Sequence, residues 1–327
     1  PVPAAVTKSA VTYLVFSALS YPFLAVYNTC AALFRSMGNS RISLFASFIM
    51  NVVNVAANAL LIYTFNLGVV GAGIATLLSR AVAAVIMLLL IRNQQNPIYL
   101  RGLYRVSFHG GLVRSILSVG VPTGFENGLF NFGKLLVQTL IASLGTSAIA
   151  ANAILGSISN IAIVPGLGIS LAIITVFGQC VGAGDYDQAV SYLKKMMLYT
   201  FISMAAVNIP LLIWARPIVS LFPLSAEAIE ISVQVLPVLA IVGILFWPLS
   251  FAFPNALRAA GDARYTMIVS ASTMWIVRFG LSYVFVKFLG LGVAGVWYGM
   301  MIDWISRCVF FIARYRSGKW RTKSVIR

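Results

Sequence analysis

Nine apolar stretches, separated by short polar and mostly basic connections, leave this chain few ways to fold. They run at roughly 11–34, 42–64, 69–91, 115–143, 147–181, 193–213, 227–256, 265–288 and 291–313. A helix of about 20 apolar residues crosses a bilayer, and these stretches lack the strict alternation of a barrel strand. Only 9% of the 327 residues are charged and 60% are hydrophobic, whereas a soluble domain carries roughly 25% charged residues. The reading is an all-α polytopic membrane protein with nine transmembrane helices. The fifth and seventh stretches exceed a straight span, and kinks are expected at Pro165, Pro237 and Pro248, because proline removes a backbone donor and crowds the preceding turn.

The net charge of +16 follows topology. Of the 23 Lys and Arg residues, 16 fall on one alternating set of connections and the tail, 3 on the opposite set, and 4 (Arg80, Lys134, Arg278, Arg307) inside spans. Basic loops stay cytoplasmic, so the C-terminal tail is expected inside the cell, in the plasma or inner membrane, and nucleic acid is not an expected partner. Cys30, Cys180 and Cys308 form no CxxC pattern. The chain starts at Pro1 without a signal-peptide pattern and reads as the interior of a longer protein.

Charges inside spans are the candidate functional residues, since an ionised side chain at bilayer depth is costly and normally faces a cavity or a partner. Glu126 stands in Gly120-Val-Pro-Thr-Gly-Phe-Glu-Asn-Gly-Leu-Phe-Asn-Phe-Gly-Lys134. At ~100° per residue, Glu126, Asn127, Asn131, Lys134 and Gln138 share little more than a third of the helix circumference. Lys134 rises ~12 Å beyond Glu126, too far for simple contact. Glu126 is therefore expected to lack a fixed cationic partner and to titrate or bind a cation. Glu126, Asn127 and Asn152 form the expected coupling set, with Na⁺ as a candidate ion. Asn131, Lys134 and Gln138, together with Asn51, Asn54 and Asn58 on one face of the second span, are expected to line substrate cavities; interhelical hydrogen bonding is an equal reading of the last three. Arg278 and Asp303 lie at matching depth on neighbouring spans and are expected to pair, with Arg307 one turn from Asp303 able to share it. No HExxH, no intramembrane His and no metal-spaced carboxylates are present, so an enzyme is not expected and no metal or cofactor is assigned.

The chain also resembles itself. Leu33-Phe-Arg-Ser-Met-Gly-Asn-Ser-Arg41 matches Ala256-Leu-Arg-Ala-Ala-Gly-Asp-Ala-Arg264 at an offset of 223, and Leu67-Gly-Val-Val-Gly71 matches Leu291-Gly-Val-Ala-Gly295 at 224. Such parallel repeats build transporters of two lobes. The earlier unit holds three spans and the later six; if the two were once equal, three helices precede Pro1.

Gly120-Val-Pro-Thr-Gly-Phe-Glu126, Gly178-Gln-Cys-Val-Gly-Ala-Gly184, Leu257-Arg-Ala-Ala-Gly-Asp262 and Gly292-Val-Ala-Gly-Val-Trp-Tyr-Gly299 together resemble the multidrug and toxic compound extrusion (MATE) family. The resemblance implies two six-helix lobes around a cleft. Residues 1–92 would then be helices four to six of the first lobe, 93–114 an interlobe linker, 115–315 a complete second lobe, and 316–327 a basic tail. It implies export of organic, often cationic and amphipathic compounds in exchange for Na⁺ or H⁺, by a monomer, with Glu126 in the place of the family's carboxylate on helix seven. The family's acid on helix ten has no counterpart in the middle of 227–256. A flippase for lipid or lipid-linked oligosaccharide, of related architecture, is the alternative.

Overall fold

The computed structural model describes residues 4–100 and 109–322, and among them every regular element is helical. The chain divides into two compact units, 1–107 and 108–327. Residues 101–108, in the middle of the expected linker, lie outside the described residues, as do tail residues 323–327.

The first unit contains α1 (Ala4–Ser36), α2 (Ser40–Ala59), a π-helical turn (Leu60–Thr64) and α3 (Gly68–Ile91). Its core is small, built from Tyr27, Cys30, Ala31 and Phe34 against Ala46, Ala83, Met87 and Ile91. Lipid tails are as apolar as these side chains, so close packing and hydrogen bonds hold the helices together. Gly73 accordingly lies against Phe16, where any side chain would clash. The intramembrane Arg80 donates from Nη1 to Ser20 Oγ at 2.6 Å.

The second unit contains α4 (Gly110–Ala142), α5 (Thr146–Gly182), α6 (Tyr186–Ile213), the short α7 (Ala215–Ser220), α8 (Ala226–Leu245), a π turn (Pro248–Ala252) and α9 (Pro254–Ala259). It continues with α10 (Ala263–Ser272), a π turn (Thr273–Phe279), α11 (Gly280–Lys287), α12 (Gly292–Arg316) and a 3₁₀ turn (Lys319–Thr322).

Eight of these helical stretches are long and apolar enough to cross a membrane. α4 is not one of them, although its 33 residues give it ample length; Arg114, Glu126 and Lys134 lower its apolarity. The outer faces are strongly apolar, with Leu14, Phe48, Ile116 and Ile276 all at least 65% exposed. In water such faces would drive association; in a bilayer they meet acyl chains.

Pro165 and Pro237 stand inside continuous helices, α5 and α8. One missing backbone donor does not end a helix held by packed neighbours, and Gly166, next to Pro165, lies against the Trp247 ring with no room for a side chain. At Pro248 α8 has ended and the backbone widens into a π turn.

The internal repeat is visible in the backbone. Gly38 and Gly261 both adopt positive φ, 79° and 92°. Asn39 N–H donates to the Phe34 carbonyl and Asp262 N–H to the Leu257 carbonyl, both at 2.9 Å. The αL glycine followed by this backward bond is a helix C-cap that L side chains resist. Gly68 and Gly292 repeat in the same way, at 51° and 54°, with Leu67 N–H bonded to Leu61 O and Leu291 N–H to Phe285 O, each at 3.0 Å.

Candidate functional site

Glu126 sits on α4 with its side chain only 11% exposed, and it is not alone. Arg258 Nη2 donates to Glu126 Oε1 at 2.6 Å, while Arg258 Nη1 donates to Asn255 Oδ1 at 2.8 Å. This corrects the expectation of an unpartnered carboxylate. The partner lies 132 residues away in α9, one turn before Gly261. By sequence position Arg258 belongs to a basic connection, and only tertiary packing brings it to α4. Within the quoted motif Leu257-Arg-Ala-Ala-Gly-Asp262, the helical position of Arg258 ahead of the capping glycine was the available signal. The pair is half-satisfied: Glu126 Oε2 and Arg258 Nε are buried with no hydrogen-bond partner.

Of the two amides expected beside Glu126, Asn152 is elsewhere. Asn127 is exposed, and its carbonyl accepts from Asn131 Nδ2 at 2.9 Å along the same helix. Asn152 Nδ2 donates to Gln138 Oε1 at 3.1 Å. Gln138 lies 12 residues beyond Glu126, a rise of ~18 Å, so Asn152 does not share a site with the acid.

Gln138 and Asn152 belong to a cavity of about 510 Å³ within the second unit. Phe130, Lys134 and Gln138 reach it from α4, Asn152, Gly156, Ser159 and Asn160 from α5, Trp247 and Phe251 from the Pro248 region, Arg278 from the π turn between α10 and α11, and Trp297, Met300 and Trp304 from α12. Lys134 and Gln138 thus line a cavity. Asn131, exposed on α4, is not among the lining residues. The wide π turn at Thr273–Phe279 carries Arg278; such turns shift side-chain register and recur at functional sites.

Behind the cavity, Arg307 Nε donates to Asp303 Oδ1 at 2.9 Å, with side chains 2% and 0% exposed. Arg307 Nη2 also reaches the Ser270 carbonyl at 3.2 Å. The expected Arg278–Asp303 pair is therefore replaced by the one-turn pair on α12, because i and i+4 positions face each other without any interhelical adjustment. Arg278 turns instead to Phe130, whose ring centroid is 5.6 Å from the guanidinium carbons of both Arg278 and Arg307.

In the first unit, Asn54 Nδ2 donates to Ser79 Oγ of α3 at 3.3 Å, and Asn58 Nδ2 donates to Asn54 Oδ1 at 3.0 Å. Asn51 donates back to the Ser47 carbonyl at 3.0 Å. Of the two readings of these asparagines, the geometry favours helix-to-helix bonding for Asn54, while Asn58 bonds back to Asn54 within α2.

Two features went unread in the sequence. Arg314 holds Asp262 bidentately, at 2.6 and 3.1 Å, tying the α9–α10 turn to the end of α12. Trp320, in the segment read only as a basic tail, is 2% exposed and stacks on Tyr315 with ring centroids 5.4 Å apart.

The family model MatE matches residues 2–60 and 122–284. A probable multidrug resistance protein NorM of Thermotoga maritima is 28% identical over 325 residues, spanning 98% of this chain and 68% of that protein. Human multidrug and toxin extrusion protein 1 is 24% identical over 277 residues, 83% of this chain and 47% of its own length. A crystal structure of MATE in the bent conformation superposes with a TM-score of 0.85 at 21% identity, covering 96% of this chain and 70% of that one. Because one family model accounts for more than half of the residues, including the Glu126 helix and most of the cavity wall, this multi-pass membrane protein belongs to the MATE family of multidrug efflux transporters.

Proposed function

We propose that the protein is a secondary antiporter that exports amphipathic organic compounds in exchange for an inward cation, acting as a monomer in the cell membrane with its tail in the cytoplasm. In this reading α4 is a ninth crossing beside the eight apolar ones, residues 1–92 form part of a first lobe and 115–315 a second. The length of α4 and its place in the second unit support that count.

The observation that carries the reading is the half-satisfied Glu126–Arg258 pair. A buried acceptor without a partner costs roughly 1–3 kcal/mol, and a cation arriving at Glu126 Oε2 would remove that cost. A proton fits better than Na⁺. Sodium requires several oxygen ligands, and Asn152 is bonded to Gln138, ~18 Å along α4 from Glu126. Protonation would neutralise the carboxylate and weaken its hold on Arg258, which stands one turn from the α9–α10 corner. Coupling then follows if release of Arg258 biases the lobe toward the state that accepts new cargo, since a ligand shifts an equilibrium only through its differential affinity for the two states.

The test is efflux from proteoliposomes under separately imposed pH and Na⁺ gradients. Glu126→Gln is expected to reach the membrane and bind cargo yet lose gradient-driven export. Export at the unmodified rate in that variant would remove Glu126 from the coupling role. Movement of lipid-linked sugar without either gradient would favour a flippase instead.

A further inference from the structure

The cavity of the second unit is positively charged. Lys134 and Arg278 line it. None of the seven acidic residues of the chain, all described, does so. Glu126 is held by Arg258, Glu230 by Arg216, Asp262 by Arg314 and Asp303 by Arg307. Asp185, Asp187 and Glu227 stand at the N-terminal ends of α6 and α8. Asp303 offsets one of Arg278 and Arg307, so these two together with Lys134 leave the group a net charge of +2.

Three side chains of the same wall carry hydrogen-bond donors that lack an acceptor and are covered by neighbouring atoms. Arg278 is 9% exposed, Trp297 7% and Trp304 4%. Arg278 Nε, Trp297 Nε1 and Trp304 Nε1 are buried without a partner. A guanidinium stays charged and donates only, and an indole N–H donates only. All three groups thus ask for an acceptor. Around them Trp247, Phe251, Trp297 and Trp304 supply flat apolar surface, and the volume of about 510 Å³ suits a drug-sized molecule.

We propose that this cavity binds aromatic organic anions, with a carboxylate, sulfonate or phosphate head at Arg278 and Lys134 and a ring body among the tryptophans. That such an anion is also exported rests on the efflux reading above; its binding does not. An organic cation, the charge class implied by family resemblance, would face two like charges and no counter-charge in this cavity.

The experiment uses two probes with the same ring and opposite charge, naphthalene-2-sulfonate and 2-naphthylmethylammonium. The 327-residue chain is placed in phosphatidylcholine nanodiscs, and binding is read by equilibrium dialysis and by quenching of tryptophan fluorescence. The sulfonate is expected to bind at least about tenfold more tightly, the scale of one charge-assisted hydrogen bond. Arg278→Gln and Lys134→Gln are each expected to lower its affinity roughly tenfold and to leave the ammonium unchanged or improved. Arg278 is buried and its variant risks misfolding; Lys134 is exposed at the cavity, so its variant keeps the test open. Equal or tighter binding of the ammonium, or sulfonate affinity unchanged in Lys134→Gln, overturns the proposal. Sulfonate that binds but is not exported under a gradient sinks the antiport reading and leaves the site; ammonium exported through this cavity sinks the anion reading and leaves antiport.

Discussion

Replacing Asp303 with Asn tests whether the buried charges of the second unit form one balanced group. Asp303 is fully buried, and its only ion-pair partner among the described residues is Arg307, itself 2% exposed. Removing one member of a buried pair typically costs 3–5 kcal/mol, because the other charge is left without compensation. Here the cost is compounded, since Arg278 and Arg307 both lie 5.6 Å from the centre of the Phe130 ring and therefore no more than about 11 Å apart. With Asp303 neutral they repel across a low dielectric. For a unit of about this size 1 kcal/mol moves the midpoint by ~2–4 °C, so Asp303→Asn is expected to lower it by roughly 6–20 °C. Arg307→Gln should cost less, because Arg278 remains to balance Asp303. The double variant Asp303→Asn/Arg307→Met should recover much of the loss, as removing both charges is commonly near neutral. Thermal unfolding in detergent, followed by tryptophan fluorescence, reads all three. If Asp303→Asn melts within ~2 °C of the unmodified protein, or the double variant is worse than either single one, the balanced-group reasoning is wrong.

Three further substitutions separate packing from backbone effects. Gly166→Ala would push a methyl group into the buried Trp247 ring; overpacking of this kind costs ~1–3 kcal/mol, and wild-type melting would show that the ring moves aside freely. Gly38→Ala has open space around the new Cβ but a φ of 79°, so its cost of ~1–2 kcal/mol is purely conformational. Gly124→Ala, also in open space but inside α4, is expected to act in the opposite direction and stabilise by ~0.5–1 kcal/mol; a loss of stability there would point to a close neighbour that the geometry does not contain.

What could be read from the chain alone divides along the range of the forces involved. Span length is a local property, so the eight apolar crossings were legible, as were the capping glycines of the repeated turns, where Gly38 and Gly261 take the same left-handed conformation. Position along one helix was legible too: Lys134 and Gln138 lie on the face of α4 that lines the cavity, as their angles required. Partner identity was not. Glu126 was assigned by default to titration because no cation lay within reach on its own helix, yet Arg258 arrives from 132 residues away. Arg278 and Asp303 were matched by depth, but depth fixes only one coordinate. The π turn under Arg278 and the i,i+4 geometry of α12 decide the pairing in favour of Arg307.

The same distinction explains why the charge of the cavity is not legible in the sequence. A chain with an acid on a polar helix face suggests a site for cations, and only the closing of every acid onto a specific arginine or helix end changes that. Once Glu126, Asp262 and Asp303 are each held by an arginine, the charges left facing the cavity are Lys134 and Arg278. The carboxylate expected to meet the coupling ion and the wall expected to meet the cargo thereby lie in different places, about 12 Å apart along α4 between Glu126 and Lys134. Exchange by direct competition for one carboxylate is then unnecessary. Cargo and proton can be coupled through the conformation of the helices that join the two places, and an anionic cargo bound at one need not be repelled by a charged acid at the other.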